Sequence, residues 1–389
     1  MARSARSAYV TPSETAVFYI RCRTKKSLIP AKNPRGSTLD THRVQYIEDL
    51  IRLYAAHFGI AVHAHAVIRH EIRLVLQSRP EVIQALDDTQ IAMRWLSICP
   101  TLRRGRTQAP EPTEKEIADF CSDPSRISQT RRRLSDISWL MRLLQQRVAQ
   151  LCNREDRTEG SVWNGRFRAV LLLDATAHFT ALANVDLAAV RVRMGKPVSA
   201  SVFTSALHRQ NDWLKSTCLA SVIRPAAETH DSHGTGDSPA NVSTGISASH
   251  PCCNHLAPIG NTEEVPFAAG RESSTAPRFR CSDQPAVSIN LPDYQKLLRL
   301  TRDGFLSEQA MVSQEISSLL SILKLSPEAW LALVGDFDDL FSHVAGQPAT
   351  MDAYVPKKGH HRAYVRPAAR AIFRKCTTGH PVMQIPPAT

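Results

Sequence analysis

Residues 58–77 read Phe-Gly-Ile-Ala-Val-His-Ala-His-Ala-Val-Ile-Arg-His-Glu-Ile-Arg-Leu-Val-Leu-Gln, which is the clearest structural pattern in the chain. Two apolar, β-branched runs, 60–68 and 72–76, flank a short polar break, as expected of a β-hairpin. In the first run apolar residues alternate with His63 and His65, so the two-residue period of a strand predicts both imidazoles on one face. We expect this hairpin to form the middle of a sheet that packs on helices.

The chain around the hairpin has the patterns of further strands and helices. Strand-like composition occurs at 15–22 and again after a turn that begins at Gly160. The pattern is helical in four stretches, at 40–57, 79–100, 116–153 and 174–194. We therefore expect an α+β fold with an antiparallel sheet of about four strands and with helices on one face.

The domain organisation follows from shifts in composition. At 389 residues the chain is long enough for two domains. Residues 1–14 are predicted to be a disordered basic leader, and 15–215 the α+β domain. Ser, Thr, Pro, Gly, His and Asn dominate 216–286, which predicts a low-complexity linker. Helical patterns return in 287–350 as a small all-helical unit, and a basic tail occupies 351–389.

Cysteine usage predicts reduced thiols. The nine cysteines have no paired spacing and their number is odd, so we expect no disulfide framework and a cytoplasmic protein. Cys252, Cys253 and His255 lack the paired spacing of a structural zinc site, and none is predicted there. No apolar run reaches about 18 residues, and the leader has no apolar core, so neither a membrane span nor a secretory signal is expected.

The charge balance indicates the class of partner. The formal net charge is +12 and the isoelectric point is about 9.5. Such a balance favours a polyanionic partner, with nucleic acid as the first interpretation and an anionic membrane surface as the alternative. A basic surface that is merely solvated is the third interpretation.

Three groups of residues are candidates for nucleic-acid binding. The first follows the strand at 15–22, where no acidic residue occurs between Glu14 and Asp40; a solvated loop is the alternative. The second lies within the long basic helical stretch. The third interleaves an aromatic side chain with guanidinium groups, which suits base stacking and phosphate contact, unless the aromatic ring enters the core. The candidates are Arg21, Arg23, Lys25, Lys26, Arg131, Arg132, Arg133, Trp163, Arg166 and Arg168.

The order strand, helix, hairpin, basic helices, Trp-Asn-Gly-Arg-Phe-Arg and helix resembles the HUH-class tyrosine transposases, of the insertion-sequence-200-like and REP-associated type. The likeness is to a long branch with a C-terminal helical extension, and it covers 15–210 and 287–350. It implies a ferredoxin-like sheet and a role in DNA transposition. The matching pieces lie at 54–76, 78–82, 138–142, 153–156, 165–168, 171–174, 185–187, 203–205 and 326–330.

The resemblance also implies where catalysis would occur. In that family a His-x-His pair on the second hairpin strand holds a divalent metal ion against the scissile phosphate, and a tyrosine on a later helix attacks it. Here the register places Glu71 and Arg73 at the two histidine positions, and Asn184 at the tyrosine. An arginine cannot ligate a cation and an amide cannot form the phosphotyrosine, so no catalytic motif is intact.

Three functional hypotheses remain open. The first is a protein that binds single-stranded, hairpin-forming DNA, needs no cofactor and has lost strand cleavage. The second is an active metal-dependent transposase or nickase that binds Mg²⁺ or Mn²⁺ through His63 and His65, a site that His70 and Glu71 at the turn would complete. A separate route to activity is a substitute nucleophile, Tyr19 or Tyr294. The third is a decayed copy without a ligand. A homodimer is expected by analogy with the family alone.

Overall fold

The computed structural model describes residues 14–29, 42–99, 111–188, 203–212, 255–260, 281–306, 319–320, 323–357 and 365–377. The predicted leader up to residue 13, Cys252 and Cys253 lie outside these ranges. So does most of the predicted linker.

One sheet runs through the described part of the chain, in the order β5-β2-β3-β1-β4-β6. Neighbouring strands are antiparallel except β4 and β6, which are parallel. The hairpin prediction is confirmed, because β2 and β3 pair with each other and lie inside the sheet. The strands are β1 Ala16–Arg23, β2 Ile60–Ile68, β3 Glu71–Ser78, β4 Arg168–Leu172, β5 Phe203–Thr204 and β6 Val344–Ala345.

Helices fill most of the remaining described chain. Side chains of Asp87, Thr113, Asp123 and Asp174 cap the amino ends of four of them, which satisfies backbone N–H groups there. In the order of the chain the helices are α1 His42–His57, α2 Pro80–Gln84, α3 Asp88–Ile98, α4 Glu114–Cys121, α5 Pro124–Leu134, α6 Ile137–Asp156, α7 Ala175–Asp186, α8 Leu291–Leu306, α9 Pro327–Gly335, α10 Phe337–Leu340, α11 Pro348–Lys357 and α12 Pro367–Thr377; residues 205–212 are also helical.

The α+β class is confirmed, but the expectation of helices on one face needs correction. Helix α1 packs on β2 and on α6, while α7 packs on β2, β3 and β4. Arg73 bonds to α7, whereas His65, which pairs with the next residue Leu74, contacts α1. Because successive strand residues point to opposite faces, α1 and α7 lie on opposite faces of the sheet. Both faces are covered.

The C-terminal unit contributes to the same body. Its helices α9 and α10 pack on α7, and β6 extends the sheet beside β4, so the unit is not all-helical. The Phe337 ring meets the Tyr19 ring edge to face, with centroids 4.9 Å apart. Helix α12 begins at Pro367, a position that suits proline because its missing N–H would have no helical partner.

Two short pieces of the predicted linker also pack on the sheet. Ala257 N–H donates to the Val62 carbonyl at 2.8 Å, and Arg79 donates to the Cys281 carbonyl at 2.9 Å. The linker prediction is therefore wrong for 255–260 and 281–286, because brief apolar segments leave no periodic signal in a polar, low-complexity background. Of the helices that the structure describes, none has the length and apolar character needed to cross a membrane.

Candidate functional site

A bulge in β2 separates the two histidines of the hairpin. The pairing of β2 with β3 shifts by one residue between Val62 and Ala64, so His63 is the extra residue. His63 Nδ1 lies 2.8 Å from His178 Nε2 on α7, whereas His65 Nε2 lies 3.4 Å from Glu48 Oε1 on α1. The expectation of a shared face is wrong, because an extra residue breaks the two-residue period. His63 and His65 do not form one metal site.

The three positions that the resemblance assigns to catalysis lie together in space. Arg73 Nη1 donates to Asn184 Oδ1 at 2.7 Å, and Arg73 Nε donates to Glu71 Oε1 at 2.6 Å. All three side chains are buried, on β3 and α7. Arg73 and Asn184 are 111 positions apart in the chain, so the fold brings them together.

These residues belong to a larger ion-pair network, defined as Arg21, Glu71, Arg73, Arg168 and Asp338. Arg21 bridges the two carboxylates, with Nε 2.7 Å from Glu71 and Nη1 2.8 Å from Asp338. Arg168 lies 3.1 Å from Asp338, and Arg73 lies 3.6 Å from it. Asp338 comes from α10, so the network ties the C-terminal unit to β1, β3 and β4.

The chemistry of this network is that of a structural core rather than a metal centre. Burial alone would lower the pKa of Arg73, but Tyr19, Glu71 and Asp338 raise it above its ordinary value. A permanently charged guanidinium has no lone pair for a metal ion and repels it. Asn184 has a second bond, from its Nδ2 to the Val334 carbonyl at 2.8 Å, which holds its amide against α9.

Neither substitute tyrosine is arranged as a nucleophile. The Tyr19 hydroxyl lies 3.3 Å from both Asp338 oxygens, and the Tyr294 hydroxyl donates to Asp186 at 2.8 Å. Both rings are buried, and burial first of all raises the pKa of each phenol above its ordinary value. Each hydroxyl has a carboxylate beside it, but a nucleophilic tyrosine also needs access to the DNA, which the burial of both rings denies.

The first and third predicted nucleic-acid groups meet at one edge of the sheet. Thr24 forms a β-bridge with Trp163, Lys25 N–H donates to the Val162 carbonyl at 2.8 Å, and Asn164 N–H donates to the Arg23 carbonyl at 2.9 Å. These bonds bring together a surface that we call the basic edge, formed by Arg23, Lys25, Lys26 and Arg166. Its cations are exposed except Lys26, which is half-buried and donates to Asn153.

The remaining candidates lie elsewhere or have other contacts. Arg21 and Arg168 belong to the ion-pair network, so their charges are already compensated inside the protein. Trp163 is half-buried against the core and its indole N–H donates to the Gln145 carbonyl at 2.8 Å. On α5, Arg131 donates to the Ile83 and Leu86 carbonyls and to the Asp88 carboxylate. The Arg133 guanidinium lies over the Trp139 ring, and Arg132 is exposed.

Sequence reasoning missed Asp338, Glu48 and His208. Glu48 is fully buried on α1, and the signal was available, because it falls on the apolar stripe of that helix beside Ile47. Asp338 lies in the C-terminal unit and His208 near the end of the α+β domain, and no local pattern marks either residue. Comparison of the chain with family models, curated proteins and solved structures gave no match.

Proposed function

We propose that this protein binds single-stranded, hairpin-forming DNA on a transposase-like frame, and that it has lost strand cleavage. The observation that carries the proposal is the contact between Arg73 and Asn184. The resemblance assigns these two positions to a metal ligand and to the nucleophile, and they are adjacent although far apart in the chain. This adjacency supports a shared frame for the sheet and α7.

The loss of cleavage follows from what occupies those positions. The Arg73 guanidinium, paired with Glu71 and Asp338, occupies the position of a metal ligand with a positive charge that repels a divalent ion. Asn184 offers an amide in place of a phenol. We expect DNA binding that is unaffected by chelators, and no covalent protein–DNA product.

Binding itself is assigned to the basic edge. The exposed side chains of Arg23, Lys25 and Arg166 lie next to the half-buried Trp163 indole, and together they form a surface that can contact a phosphate backbone. Arg132, exposed on α5, adds a further positive charge outside the basic edge. A cytoplasmic location is part of the proposal, in keeping with the free thiols of Cys22, Cys99, Cys121, Cys152 and Cys281. So is a homodimer, by analogy alone.

The experiment is a binding isotherm of the full chain on a labelled single-stranded hairpin, an unstructured strand and a duplex of equal length. Each is titrated with salt, with EDTA or with Mg²⁺ or Mn²⁺. Hairpin-preferring binding that falls steeply with salt and ignores EDTA supports the proposal. Weak binding that is equal on all three DNAs supports the decayed copy instead. Metal-dependent nicking would instead support an active transposase or nickase, and His63→Ala would then test the role of that histidine.

A further inference from the structure

A second cluster of ionisable side chains lies on the α1 face of the sheet, away from the ion-pair network. Glu48 Oε1 is 2.7 Å from His208 Nε2 and 3.4 Å from His65 Nε2. One ligand atom from each of these three residues lies within 4.8 Å of the other two. Glu48 and His65 are fully buried, and His208 has a side chain that is 17% exposed.

A third histidine completes this group as its fourth residue. His255 is buried, with its ring centroid 5.5 Å from that of His65 and 6.2 Å from that of His208. Within the part of the chain that the structure describes, neither of its ring nitrogens makes a hydrogen bond. A buried polar atom without a partner costs free energy, so the unpartnered His255 ring beside His65 and His208 indicates an absent ligand.

We propose that Glu48, His65, His208 and His255 bind one divalent transition-metal ion, with Zn²⁺ as the best fit. Three imidazoles and one carboxylate form a nitrogen-rich set of four ligands, the number that tetrahedral Zn²⁺ takes at about 2.0–2.2 Å. Ligand atoms around such an ion are about 3.3 Å apart, a spacing close to the distances found around Glu48. The ligand atoms of the other three residues already lie within 4.8 Å of one another, and His255 has to move towards them to become the fourth ligand.

Glu48 is the shared partner of the cluster. Its Oε1 lies within hydrogen-bond distance of both His208 Nε2 and His65 Nε2, so the donor atoms of all three groups converge at one place. Arg52 lies 3.9 Å from Glu48 Oε2 and opposes a cation, but its closer partner is Asp49 at 2.9 Å.

The burial of the ligands indicates a structural ion rather than a catalytic one. The four residues come from α1, β2, the helical segment 205–212 and the packed segment 255–260. Because these segments are distant in sequence, one ion would tie them together, and its binding free energy would add to that of folding. The ion would hold 255–260 against the sheet.

The test is a titration of purified, chelator-treated full-length protein with Co²⁺ and then Zn²⁺. We expect about one equivalent of Co²⁺ to give the visible absorption of a four-coordinate site, and Zn²⁺ to displace it. His208→Gln keeps a hydrogen bond to Glu48 but removes a ligand, so we expect its Zn²⁺ affinity to fall more than about 100-fold, beyond the loss for a supporting hydrogen bond. His255→Gln is the second variant, should the first fail to fold.

The control is His178→Gln, which changes a histidine on the opposite face, bonded to His63. It should keep the one-equivalent site and the rise in melting temperature with Zn²⁺. The proposal is overturned if wild type shows no saturable Co²⁺ band, if a folded His208→Gln or His255→Gln protein binds like wild type, or if His178→Gln loses the site equally. The last result would show adventitious binding among the 15 histidines and nine cysteines.

Discussion

Arg73 on β3 and Asn184 on α7 are joined by a hydrogen bond of 2.7 Å between the guanidinium and the amide oxygen. The bond fixes α7 against the sheet at the place where the resemblance expects a metal ion and a tyrosine. Asn184 also donates to the Val334 carbonyl on α9, and Arg73 also pairs with Asp338 on α10. These contacts join the sheet and α7 to the C-terminal unit.

Removal of Arg73 should destabilise the protein strongly. Arg73→Ala leaves Glu71 buried with one fewer cation and Asn184 without its donor, and we expect a loss of about 3–5 kcal/mol in the free energy of unfolding. Urea denaturation measures it. Arg23→Ala is the matched control, because the Arg23 side chain is 58% exposed and its contact with Glu71 is long, at 3.9 Å. It should change the free energy of unfolding by less than about 1 kcal/mol. Equal losses would contradict a structural network.

Asp338 should control the docking of the C-terminal unit. Asp338→Asn removes the carboxylate that faces Arg21, Arg73 and Arg168, so these arginines retain only Glu71 as a charged partner in the network. We expect faster limited proteolysis within 287–350, where α10 loses its attachment. Asp303→Asn, at a side chain 58% exposed, should leave the cleavage rate unchanged. An unchanged rate in Asp338→Asn would show that apolar packing alone holds the unit.

Stability should fall as the solution becomes acidic, in part because of His178. Burial lowers its pKa from 6.5 to about 4 in the folded state. The unfolded chain therefore binds the proton first, so stability present above pH 6.5 is lost as the pH falls towards 4. At about 1.4 kcal/mol per pKa unit, the loss is about 3 kcal/mol. Urea denaturation at several pH values should show a shallower fall for His178→Gln, and parallel curves would refute this assignment.

Gly59 should not tolerate a side chain. An added Cβ would lie 2.4 Å from Ile83 Cγ1 and 3.1 Å from the Arg79 carbonyl, because the end of α1 and the start of α2 approach closely there. We expect Gly59→Ala to cost about 1–3 kcal/mol of unfolding free energy by overpacking. At Gly335 the nearest atom would be 3.5 Å away, in Phe305, so Gly335→Ala should be near neutral. The melting temperatures of both variants test this prediction, and an equal change in the two would contradict it.

The sequence predicts the hairpin, β1 and the presence of helices, because their apolar periods are local. The helical stretches 79–100 and 116–153 are divided, into α2 and α3 and into α4, α5 and α6, and the sheet has six strands rather than about four because β5 and β6 are too short to show a strand period. The sequence could not reveal the bulge at His63, since one unpaired residue leaves the alternation of side chains unchanged in the sequence. Nor could it show that Asp338 enters the network or that His255 approaches His65, because such pairings depend on how distant segments pack.

The most direct test of the central claim compares three proteins on one labelled single-stranded hairpin across a salt series. They are wild type, Arg23→Glu/Lys25→Glu on the basic edge, and Lys115→Glu/Arg299→Glu at exposed positions on α4 and α8. Both double variants change the net charge equally. We predict that the edge variant loses at least about tenfold in affinity and about 1.4 units of salt slope, at about 0.7 per lost phosphate contact. The control should stay close to wild type. Equal weakening of both variants, or an unchanged slope, would contradict the account.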